Sequence, residues 1–165
     1  MNDKVLVAGI GNIFLGDDAF GVEVVSQLAH RSLPGNVCVA DFGIRSYDLA
    51  YALMEDWDLV ILVDALPRGG EPGTLYVFEP DLPTDAEMPA SLDAHSMNPV
   101  SVLRMVSALG GQVTRLLVVG CEPATVEPDA GGNIGLSESV AGAIDEAINV
   151  VEEILTRVRS EVEAA

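Results

Sequence analysis

Five consecutive aliphatic residues, Leu59-Val60-Ile61-Leu62-Val63, form the strongest strand signal in the chain. A shorter run, Val5 to Ala8, leads into Gly9-Ile10-Gly11 and fits a buried strand followed by a tight turn. Helical spacing recurs between and after them. Phe20, Val24, Val25, Leu28 and Ala29 mark a helix from about Asp18 to Leu33, stopped by Pro34-Gly35. Asn36 to Ala40 reads as a second strand and Ser46 to Glu55 as a second helix. Asn98-Pro99 starts a third, with Asn as cap, Pro in first position, and Val100, Leu103, Val106 and Leu109 as its apolar face. Val113 to Val119 is a further strand. Ser137 or Ser139 opens a last long helix, with Val140, Ile144, Ile148, Val151 and Leu155 turned inward.

Loop chemistry then dictates topology. Pro67, Gly69, Gly70, Pro72 and Gly73 leave no helix between Asp64 and the next strand, Thr74 to Phe78. A parallel crossover needs about a dozen residues or more, so that strand runs antiparallel to its predecessor. Residues Glu79 to Met97, with no helical period, must climb back to the opposite end of the sheet. The prediction is a single three-layer α/β domain over residues 1–165. Its twisted five-stranded sheet is mostly parallel, with one antiparallel strand and helices on both faces; the charged tail from about residue 157 to 165 frays.

Charge narrows the function. Eight Lys and Arg stand against 26 Asp and Glu, a formal charge of −18, which argues against nucleic acid and anionic membranes and suits a cationic partner. Val140 to Leu155 carries Asp145, Glu146, Glu152 and Glu153 and is no membrane span. Cys38 and Cys121 form no CxxC, and Cys38 reads as small core packing. The N-terminal apolar run is too short for a signal peptide, so a cytoplasmic location is expected.

In sheets of this kind ligands bind beyond the carboxyl ends of the parallel strands. The first strand leads to Asp17-Asp18, the second ends at Asp41, the third at Asp64, and the loop carrying His95 returns to the same edge. Each has a simpler reading alone: Asp18 as a helix-start acid, Asp64 as a turn-former, His95 as a solvated loop residue. Their common edge favours a shared site. A dinucleotide fingerprint is imitated by Gly9-x-Gly11 and Asp41, but Phe14 replaces its third glycine and Asp17-Asp18 would repel a pyrophosphate. No HExxH or GxSxG is present.

The segment Gly9-Ile10-Gly11-Asn12-Ile13-Phe14-Leu15-Gly16-Asp17-Asp18-Ala19-Phe20-Gly21 resembles the N-terminal signature of the nickel–iron hydrogenase maturation endopeptidases. Similarity continues in order through Asp41-Phe42-Gly43-Ile44-Arg45, Leu62-Val63-Asp64-Ala65, Pro72-Gly73-Thr74, Ala94-His95 and Gly120-Cys121-Glu122-Pro123. The resemblance implies an endopeptidase that removes the C-terminal extension of a hydrogenase large-subunit precursor after nickel insertion. It places the metal-contacting triad on Asp18, Asp64 and His95, and Asp41 on an acidic position tied to activity. Phe42-Gly43-Ile44-Arg45 departs from the Gly-Gly-Thr of some members.

Two carboxylates and an imidazole suit a borderline divalent ion such as nickel, here supplied by the substrate, and leave coordination positions open. Whether nickel is a recognition element or a Lewis acid stays open at this point. The alternative on the same residues is a non-enzymatic, nickel-dependent binding module or chaperone.

Overall fold

The computed structural model describes residues 3–81, 98–124 and 135–164. Its strands are β1 (Val5–Ile10), β2 (Val37–Gly43), β3 (Leu59–Ala65), β4 (Leu75–Phe78) and β5 (Leu116–Cys121). The helices are α1 (Phe20–Leu28), α2 (Ser46–Leu53), α3 (Pro99–Ala108) and α4 (Glu138–Ala164), with a 3₁₀ turn, Gly16–Ala19, just before α1. The strands form one sheet in the order β2-β1-β3-β5-β4. All neighbours are parallel except β4, which pairs antiparallel with β5.

Side-chain alternation along the strands divides the interior in two. Val5, Val7, Leu59, Ile61 and Val63 point to one face, where Phe20, Val24 and Leu28 of α1 and Val140, Ile144, Ile148, Val151 and Leu155 of α4 cover them. Leu6, Ala8, Val60 and Leu62 point to the other, under Leu49 and Leu53 of α2 and Val102, Leu103 and Val106 of α3. β3 is buried along its whole length because helices cover both of its faces. Truncating Ile61 to alanine would cost about 2–5 kcal/mol.

The three-layer, mostly parallel architecture is the one predicted, with several local differences. β1 and β3 run two residues further than their aliphatic runs, and β2 three residues further than Ala40, so Asp41 and Asp64 are strand residues. β4 runs antiparallel to β3, as its loop chemistry predicts; the two edges of β3 are taken by β1 and β5, so β4 pairs with the outer edge of β5. Asn98 caps α3, its side chain accepting the Ser101 amide at 2.9 Å. The buried stripe of α3 starts at Pro99 and follows Val102, Leu103 and Val106 with Met105, which leaves Val100 and Leu109 exposed. Cys38 is exposed, because β2 is an edge strand. α4 continues through Ala164, past the position where the tail was expected to fray. Among the described residues no helix is long and apolar enough to cross a membrane.

Candidate active site

The chain leaves β1 through α1 on one face and reaches β2. It then returns through α2 on the opposite face to β3, on the other side of β1. Connections therefore diverge at the carboxyl ends of β1 and β3, and a crevice opens where strand order reverses. Asp18, in the turn after β1, and Asp64, next to last in β3, flank that crevice.

The turn after β1 is tightly written. The Asn12 amide donates to Asp18 Oδ2 at 2.7 Å, and the Phe14 amide donates to Asn12 Oδ1 at 2.9 Å. Leu15 N–H donates to the Asn12 carbonyl and Asp18 N–H to the Leu15 carbonyl, both at 3.1 Å. Asn12 thus organises the loop and its backbone aims one Asp18 oxygen. Gly11 adopts φ +142°, and a Cβ there would collide with the Asp18 carbonyl. At Gly21 a Cβ would collide with the carbonyls of Val63 and Ile10. These glycines let the 3₁₀ turn and α1 sit directly on the ends of β1 and β3.

Asp64 is 3% exposed and is paired in register with Gly120 of β5. Burial pushes its carboxyl well above the usual aspartate range, and the nearby Asp18 charge pushes it further; the Ala65 N–H opposes both. Two carboxylates that repel each other in a low-dielectric crevice suit a divalent cation, which would relieve the repulsion and replace the Asp64 proton.

Of the other two predicted residues, the described part of the chain contains Asp41 alone. Asp41 is exposed and lies opposite Gly9 in the β1–β2 ladder. By alternation it shares a face with Val37 and Val39, which pack on the α1–α4 side, whereas Asp64 follows Val60 and Leu62 on the α2–α3 side. Arg45 donates to the Asp41 main-chain carbonyl and lies 3.6 Å from Asp48. His95 lies outside the described residues. Among the described residues no group of three His, Cys, Asp or Glu is arranged to hold a metal ion.

Two acids to which sequence reasoning gave no separate role are buried at this edge. Asp17 turns away from Asp18 and accepts the Ala124 amide at 2.8 Å, the Ser137 amide at 2.6 Å and the Ser137 hydroxyl at 2.9 Å. Glu122 accepts the Arg68 and Gly69 amides at 2.8 and 3.1 Å and the Tyr76 hydroxyl at 2.9 Å. The Arg68 amide bond leads in holding its carboxyl below the usual glutamate range. Both acids stand in segments that carry the family resemblance, but the donors that capture them are remote in sequence. Cys121, the last residue of β5, is fully buried. Burial first, then the Asp17 and Glu122 charges, push its thiol up to about 11, so it stays protonated and is a poor nucleophile at neutral pH.

The profile of a family described as hydrogenase maturation protease matches residues 22–154. The chain is 39% identical over 150 residues to a protein of Methanocaldococcus jannaschii provisionally named a hydrogenase maturation protease, covering 89% of this chain and 93% of that one. It is 33% identical over 162 residues to the hydrogenase 2 maturation protease of Escherichia coli, covering 94% and 91%. The solved structure of the hydrogenase maturating endopeptidase HybD from E. coli superposes with a TM-score of 0.70 at 30% identity, over 96% of this chain and 93% of that one.

Proposed function

The chain belongs to the hydrogenase maturation protease family, a family of peptide-bond hydrolases, and on that premise we propose what it cuts and how it selects it. Its substrate is the large-subunit precursor of a nickel–iron hydrogenase. The reaction removes the C-terminal extension of that precursor once nickel has been inserted. Nickel arrives with the substrate, and Asp18, Asp64 and His95 complete its coordination, so that only a loaded precursor engages the site. Asp41, exposed at the end of the edge strand, contacts the substrate chain rather than the metal.

The observation that carries this reading is that the turn after β1 and the end of β3 bring Asp18 close enough to Asp64 for its charge to act on the Asp64 carboxyl. The surroundings suit a macromolecular substrate. Of eight large hydrophobic side chains exposed among the described residues, five (Ile13, Phe14, Ile44, Tyr47 and Tyr51) lie on the loop after β1, the turn after β2, or α2. The two loops touch, Gly11 N–H donating to the Gly43 carbonyl at 2.9 Å. A groove of about 640 Å³ also begins at Ile13, Phe14 and Ala19 and carries Glu23 and Asp145. Apolar surface with an acidic border suits a peptide that carries both apolar and basic side chains.

The test is incubation of the protein with nickel-loaded and nickel-free precursor, read by intact mass. Shortening of the loaded form alone is the expected result. Stoichiometric nickel binding with no shortening would assign the same carboxylates to a non-enzymatic nickel-dependent binding module. Cleavage of both forms at one rate would remove nickel from the recognition step.

A further inference from the structure

Asp17 and Asp18 are adjacent in sequence but face different parts of the molecule. In a 3₁₀ turn successive side chains lie about 120° apart, so one can face the crevice only if its neighbour faces elsewhere. Asp18 is half-buried and bonded to Asn12; Asp17 is 3% exposed and bonded to Ala124 and Ser137. Ala124 follows the end of β5, and Ser137 immediately precedes α4, where its carbonyl accepts the Ala141 amide at 2.8 Å. One carboxylate therefore ties the turn after β1 to two elements more than a hundred residues away in sequence.

We propose that Asp17 is a positioning residue for the reaction, its three hydrogen bonds fixing the turn so that Asp18 is presented to the crevice beside Asp64. The inference rests on the processing function proposed above. A purely structural role for Asp17 would be satisfied by any group that fills its site and keeps the helix packed. The positioning role requires all three bonds. Asp17 Oδ2 takes both the Ala124 amide and the Ser137 hydroxyl, whereas Oδ1 takes the Ser137 amide. Asparagine keeps the volume but turns one acceptor into a donor facing an N–H. Restraint on the turn is lost while the sheet and α1 keep their apolar packing.

The experiment compares wild type, Asp17→Asn, Ser137→Ala and Ser137→Thr as full chains. Two readouts are taken at a temperature where each is fully folded by circular dichroism. The first is hydrogen exchange of the Asn12 amide, which reports where the Asp18 carboxylate sits. The second is kcat and KM on nickel-loaded precursor. For Asp17→Asn the expected result is faster Asn12 exchange and a kcat/KM on nickel-loaded precursor lower by about 10- to 100-fold, the range typical of removing a group that orients a ligand. Ser137→Ala, which deletes one bond and leaves the carboxylate, shows the same changes to a smaller degree, and Ser137→Thr restores both. Wild-type exchange and kcat/KM in the folded Asp17→Asn protein overturn the proposal. So does a loss of kcat/KM that tracks the unfolded fraction alone. Should Asp17→Asn not fold, Ser137→Ala decides on the same two measures. If the wild type leaves the precursor uncut, the processing reading fails by itself, and Asn12 exchange alone decides the role of Asp17.

Discussion

Asp64 titrates in the field of Asp18, although the two are 46 residues apart in sequence (64 − 18) and sit on different elements. Burial is the larger cause of the raised Asp64 value and the Asp18 charge the second. Replacing Asp18 by asparagine should therefore lower the Asp64 value and still leave it above that of an ordinary aspartate. Carbon-13 titration of the Asp64 carboxyl measures this; an unchanged value would separate the two residues.

The same shift fixes a sign for stability. The folded value lies above the ordinary 3.8, so folded protein keeps the proton over a range where unfolded chain has lost it. Stability conferred by the neutral acid is complete below 3.8 and declines as pH rises through the folded value. Asp64→Asn, which never ionises, is expected to melt higher than wild type at neutral pH, with the difference closing below 3.8. It is also expected to lose processing. Melting curves across pH with a single cleavage assay check both.

Asp18→Ala and His95→Ala should each abolish cleavage of nickel-loaded precursor, Asp18→Ala without unfolding the domain. Cleavage at the wild-type rate in either, followed by intact mass, would mean that nickel is read elsewhere.

Glu122 runs in the opposite sense. Its depressed value makes its hydrogen bonds stabilising above the ordinary 4.5, and this contribution is lost as pH falls through the folded value. Tyr76→Phe deletes one of the donors. The variant should melt lower than wild type at neutral pH, and the gap should narrow on acidification, as scanning calorimetry at several pH values would show.

Phe14→Ser and Ile44→Ser change exposed side chains on the touching loops. Each should raise KM for precursor by about tenfold, equivalent to about 1.4 kcal/mol of binding. Folding stability should stay within about 0.5 kcal/mol of wild type. Steady-state kinetics and a melt of the same sample separate the two effects.

Much of this architecture is legible in the chain because its signals are local. The aliphatic runs at Val5 and Leu59, the Asn98-Pro99 start and the Pro- and Gly-rich stretch after Asp64 each dictate their own neighbourhood. What local signals leave open is what depends on distant partners. That β4 lies beside β5 follows from β1 and β5 already occupying the edges of β3, a competition no local window contains. The buried face of α3 differs from the expected one because Val100 and Leu109 fit the helical spacing as well as Pro99 and Val102 do. At the site, the approach of Asp18 to Asp64 was foreseeable from strand ends. The separate duties of Asp17 and Asp18 were not, since the donors that capture Asp17 lie 107 and 120 residues away.

Asp64 belongs to a strand hydrogen-bonded on both sides and covered on both faces. Its backbone cannot shift without breaking ladder bonds on one flank or the other. It is the stationary jaw of the crevice, and the turn from Gly11 to Asp18 is the jaw that can be shimmed. The width of the crevice is therefore set by that turn and its anchors, while the strand bearing Asp64 stays as it is.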